Sequence, residues 1–198
     1  MQLLSTDSFF DWAKQSGIVL DSRYSPPQCL VYESLSDNHR WWNTPTDPAE
    51  LRAFIERFLD GMEFWISCYI WRRGGSWPPA DPPRSRLDAI RKVLARGPDI
   101  PADYQGAVHF DADEREGLLG LAVPHVLSGW SVNDDLFIIP EHARYILQTD
   151  HHGVIHATCY DRAAMDRLIE HMDEGGYSLP TTTLDWTFKR PDWMGPHS

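Results

Sequence analysis

Cysteine is scarce: Cys29, Cys68 and Cys159 are odd in number, widely spaced and form no CxxC pair. That excludes a disulfide framework and a four-thiolate zinc ribbon, and it makes a reducing cytoplasm the expected compartment. No window approaches the roughly 18 consecutive apolar residues of a membrane helix. The opening MQLLSTDSFFDWAK has no basic start followed by an apolar stretch, so no signal peptide is expected. There is no internal repeat and no low-complexity linker, and the 198 residues are expected to form a single domain, 1–198. Positive charge is also short, at 18 Lys and Arg against 29 Asp and Glu, a net charge of −11. Such a chain repels nucleic acid and anionic membranes, so neither is an expected partner; a basic protein is. What positive charge exists is concentrated between Arg72 and Arg96, where seven cationic residues face only Asp81 and Asp88.

The common catalytic signatures are missing as well. No GxSxG, HExxH, P-loop or GxGxxG occurs, and Gly74-Gly75 lacks the Gly-Lys-Ser/Thr ending of a phosphate cradle. Apolar and aromatic residues, by contrast, are plentiful. With 42% hydrophobic residues, 9 Trp and 15 Pro, the composition is that of a packed domain with long ordered loops.

The clearest folding unit is residues 135–172. Runs at 135–139, 144–149 and 154–160 read as three strands. Pro140 sits at the end of the first, where its missing N–H is harmless, and Asp150-His151-His152-Gly153 turns between the last two. Asp161 then caps a helix that turns Met165, Leu168, Ile169 and Met172 to one side and stops at Gly175-Gly176. The second strong signal is Asp47-Pro48-Ala49-Glu50, a helix start with a capping aspartate and proline at the first position. The helix that follows carries Leu51, Phe54, Ile55, Phe58 and Leu59 as one stripe, and Gly61 ends it. Residues 64–71, FWISCYIW, are apolar on both faces, as a strand covered on both sides must be.

Weaker signals fill the rest. Asp7 is the expected cap of a helix over 8–16, residues 29–34 and 107–110 read as strands, and residues 37–46 read as a loop. Asp81 with two prolines opens a helix that stops at Gly97-Pro98. A helix is expected within 111–120, started by Asp111 and Glu114 and bounded by Pro124. The tail at 181–198 holds Trp186, Phe188 and Trp193 and is expected to dock on the body. The expected class is therefore α+β: a mixed or antiparallel sheet, with a C-terminal three-strand meander at about 135–160, flanked by helices.

Chemistry-bearing residues gather in two places. His151, His152, His156 and Cys159 offer imidazole and thiolate, but residues 156 and 159 fall on opposite faces of a strand, and adjacent turn histidines are expected to splay. His109, Asp111 and Asp113 alternate onto one side if that segment is extended. From these, His109, Asp111 and His156 are the candidate catalytic residues of a hydrolase. No convergent four-ligand set is apparent, so no structural metal and no cofactor are expected.

Two loops instead combine arginine with tryptophan, the residue types enriched at interface hot spots: His39 to Trp42, and Arg72 to Pro79. With the carboxylates Asp111, Asp113, Glu114 and Glu116, the expected contact residues are Trp41, Trp42, Arg72, Arg73 and Trp77. The expected function is an acidic, soluble protein-interaction module, most concretely a bacterial immunity protein that neutralises a toxin. The alternative is a small cytoplasmic hydrolase using the His, Asp and Cys residues above.

Overall fold

The computed structural model describes residues 1–23, 29–34, 38–63, 67–73, 77, 99–101, 104–128 and 134–182. The expected helix after Asp81, residues 64–66 of the expected strand and most of the C-terminal tail lie outside them.

Nine strands and four α-helices are described. A seven-stranded sheet is antiparallel at every pairing. Its strands are β1 (Gln2–Ser5), β4 (His39–Asn43), β5 (Ser67–Arg72), β6 (Gly106–Asp111), β7 (Leu136–Pro140), β8 (Tyr145–Asp150) and β9 (Val154–Cys159), in the order β1-β6-β5-β7-β8-β9-β4. A separate hairpin pairs β2 (Ile18–Leu20) with β3 (Leu30–Tyr32). The helices are α1 (Thr6–Gln15), α2 (Pro48–Gly61), α3 (Arg115–Ser128) and α4 (Arg162–Glu174). The class is α+β, and β7, β8 and β9 form the expected meander.

Side-chain alternation splits the sheet into two buried faces. Cys68, Ile70, Val108, Ile138, Leu147 and Ile155 point to one face and pack with α2, α3 and α4. Tyr69, Trp71, Ala107, Phe137, Ile139 and Ile146 point to the other and pack with α1 and the β2–β3 hairpin. Strand β5 is buried on both faces because β6 and β7 flank it and both layers cover it. The α2 stripe is fully inside, and Asp47 caps the helix by accepting the N–H groups of Ala49 and Glu50 at 2.9 and 3.0 Å. Asp161 caps α4 through the Ala164 N–H at 2.7 Å.

Four local features differ from the sequence expectation. Residues 2–5 form an edge strand, and Ser5 rather than Asp7 caps α1, its hydroxyl accepting from the Ser8 N–H at 3.2 Å. Residues 39–43, expected in a loop, form β4. Strand β9 offers them a full ladder, and Trp42 gains a buried site against Phe58. Helix α3 is preceded by a 3-10 turn, Ala112–Glu114. It then runs through Pro124 to Ser128. Proline deprives only the Gly120 carbonyl of its helical partner, and burial of Leu121, Val123 and Leu127 outweighs that loss.

Candidate functional site

The meander, β4 and the end of β5 bring polar side chains together at one end of the sheet. Antiparallel pairing places the start of β7 beside the end of β5, and the β8–β9 turn beside both. Asp135, directly before β7, thereby meets Arg73, directly after β5. Arg73 donates from its Nη1 to Asp135 Oδ2 at 3.0 Å, with the two side chains 8% and 0% exposed. Gln148 of β8 donates to the same oxygen at 3.3 Å. The other oxygen accepts the His151 backbone N–H at 3.1 Å and the His151 Nδ1–H at 3.0 Å. A buried carboxylate needs such partners, and this one has four donors.

The file continues along the β8–β9 turn. Asp150 Oδ1 accepts the His152 backbone N–H at 2.7 Å and lies 3.7 Å from His151 Nδ1. Its Oδ2 lies 3.6 Å from His156 Nε2, and His156 Nδ1 is 3.0 Å from Nε2 of His39 on β4. Gly153, at φ +77°, closes the turn in a conformation that an L side chain rarely adopts. Within that turn the rings of His151 and His152 sit 4.3 Å apart rather than splaying. Asp150, His151 and His152 each present a ligand atom, all within 4.8 Å of one another.

The electrostatics follow from these contacts. The bond to Asp135 raises the His151 pKa against the opposing effect of burial. For Asp150, burial works upward, but His156 beside it and the His152 N–H outweigh that and hold it below the usual carboxylate value. Loss of solvent, with His156 and Arg40 nearby, pulls His39 down to about 4. Burial pushes all three thiols up, Cys159 to about 12, so none is poised as a thiolate nucleophile.

The residues singled out in the sequence are distributed differently. His109 and His156 share a sheet face, but four strand steps separate them, roughly 19 Å at the usual strand spacing. His109, Asp111 and His156 therefore do not form one catalytic group. His109 packs on Tyr69 at 4.7 Å with Nδ1 3.9 Å from Asp111 Oδ1. Asp111 and Asp113 are exposed; Glu114 pairs with the Met1 amino group and accepts the Asp111 N–H at 3.0 Å, while Glu116 pairs with Arg52. Trp42 and Trp77 are core residues, their indole N–H groups donated to the Tyr177 and Gly106 carbonyls at 3.0 and 3.2 Å. Trp41 is half-buried, opposite His156. Arg72 pairs with Asp134 at 2.6 Å and Arg73 with Asp135, both largely out of solvent.

The sequence places Asp135 at the head of a strand and gives no sign that it or Asp134 is a buried ion-pair partner. It shows only a pair of carboxylates directly before an apolar strand. A cleft of about 440 Å³ lies elsewhere, between Ser16, His142, Ala143, Arg144, Tyr160 and Asp161. Among the described residues no helix is long and apolar enough to cross a membrane. The chain matches no family model, no curated protein and no solved structure.

Proposed function

We propose that the protein is an acidic protein-interaction module that neutralises a basic partner, most concretely a bacterial toxin, in the cytoplasm. One observation supports this reading: eight of the described arginines are paired with carboxylates of the chain itself. Arg23, Arg52, Arg57, Arg115, Arg144 and Arg162 each pair with a carboxylate of the chain, as do the largely buried Arg72 and Arg73. The chain carries a net charge of −11, and among the described residues Asp7, Asp11, Asp111, Asp113 and Glu116 are exposed. Asp111 and Asp113 stand exposed at the start of α3, beside Glu116. An outward negative field steers a basic protein toward the surface and speeds its association.

The test is co-expression with the product of the neighbouring reading frame. Protection of growth from that product, together with a stable complex of the two purified proteins, is the expected result. A neighbouring product that is neither toxic nor bound counts against the reading.

The hydrolase alternative draws on the file Asp150, His156 and His39, in which a carboxylate and two imidazoles are linked by contacts of 3.6 and 3.0 Å. It requires turnover of an ester, amide or phosphoester that His156→Ala abolishes while the fold survives.

A further inference from the structure

We propose that Asp150, His151 and His152 bind a divalent transition-metal ion of the zinc class, with Asp135 as the residue that orients His151. Four observations lead there. Two imidazoles and one carboxylate form a ligand set that suits zinc, cobalt, nickel or copper better than magnesium or calcium. Their ligand atoms already lie within 4.8 Å of one another. Metal bonds of about 2.0–2.2 Å place tetrahedral ligands roughly 3.4 Å apart, so an ion would have to draw the three side chains closer together.

The second observation is orientation. A metal-binding imidazole ordinarily donates its other ring N–H to a carboxylate, which fixes the ring and its tautomer. His151 does this to Asp135 at 3.0 Å. With Nδ1–H donated, the lone pair that remains on that ring is at Nε2. Asp135 cannot swing away, because Arg73 and Gln148 hold its other oxygen at 3.0 and 3.3 Å. Asp150 is likewise pinned, by the His152 N–H at 2.7 Å.

Third comes charge. The His151 ring stands between two carboxylates, Asp135 at 3.0 Å and Asp150 at 3.7 Å, with Arg73 on the far oxygen of Asp135, surroundings that attract a cation. The fourth observation is access. The side chains of His151 and Asp150 are 16% and 7% exposed, open enough for an ion to enter and shielded enough to strengthen its hold. Three protein ligands leave a coordination position for water or for a group brought by a partner.

The experiment uses the full untagged chain, stripped with a chelator and titrated with Co²⁺ by absorbance and with Zn²⁺ by calorimetry. One ion per chain is expected, with a tetrahedral or five-coordinate cobalt spectrum. His152→Ala, a change in a half-exposed turn, should abolish the spectrum while leaving the melting temperature of the stripped protein unchanged. Asp135→Asn should weaken binding by about 10–100-fold, the usual effect of losing a supporting carboxylate. His171→Ala, on α4, should change nothing and serves as the control for the other histidines. Absence of one-to-one binding in the wild type overturns the proposal. So does binding that persists undiminished in His152→Ala or in His151→Ala/His152→Ala.

Discussion

Nδ1 of His151 lies 3.0 Å from Oδ1 of Asp135, whose other oxygen is held by Arg73 at the same distance. One buried carboxylate thus ties the β8–β9 turn to the end of β5. Asp135→Ala should remove both connections and strand the Arg73 guanidinium in a largely buried site. Breaking such a pair from one side costs about 3–5 kcal/mol. Urea denaturation of the variant beside wild type reads this directly; a loss under about 1 kcal/mol would mean that water or another carboxylate replaces the partner.

The α2 stripe should behave as rigid core. Phe54 and Phe58 are 1% and 0% exposed, and their rings meet edge to face at 5.0 Å. Phe54→Ala or Phe58→Ala is expected to cost about 3–5 kcal/mol, a transfer loss plus a cavity. Thermal or denaturant unfolding checks it. The two effects should not add, because the rings are in contact.

His125 makes folding sensitive to acid. Burial, with the Arg72 charge nearby, pulls its pKa down to about 4, while Nε2 contacts the Asp134 carbonyl oxygen. An unfolded histidine titrates near 6.5, so between pH 6.5 and 4 the unfolded chain holds the extra proton. The stabilising contribution is therefore complete above pH 6.5 and is lost as pH falls toward 4, by up to about 3 kcal/mol. His125→Gln should flatten that part of the stability–pH curve relative to wild type. Parallel curves for the two proteins would refute the assignment.

For the proposed basic partner, Asp113→Ala/Glu116→Ala should slow association more than it speeds dissociation, and salt should do the same to wild type. Both residues are exposed, and Glu116 accepts from both terminal nitrogens of Arg52 at the surface, so folding stability should move by no more than about 1 kcal/mol. Stopped-flow kinetics at low and high salt decide it. Association indifferent to both changes removes the electrostatic basis of the interaction reading.

Gly153→Ala should cost about 1–2 kcal/mol, because φ is +77° there while the nearest atom to an added Cβ, Thr44 Oγ1, is 3.7 Å away. The loss comes from backbone strain and not from a clash. Gly153→Asn, which tolerates that conformation better, should recover part of it.

Local chemistry determined those parts whose signal lies within a few residues. Asp47-Pro48 and Asp161 start helices because a side chain two or three residues away from the N–H groups it caps needs no distant partner. The stripe of α2 and the doubly apolar β5 announce burial whatever covers them. Tertiary structure alone decided the rest. HRWWN carries no strong strand pattern and becomes β4 only because β9 presents an open edge. Helix α3 crosses Pro124 because packing against the sheet outweighs one lost backbone bond. Asp135 looks like any acid at the head of a strand until strand order sets it beside Arg73, 62 positions earlier, and His151, 16 positions later. The same strand order parts His109 from His156, which in sequence are equally good candidates. Periodicity and capping are properties of a segment; which carboxylate faces which imidazole is a property of strand register, and no short-range pattern encodes it.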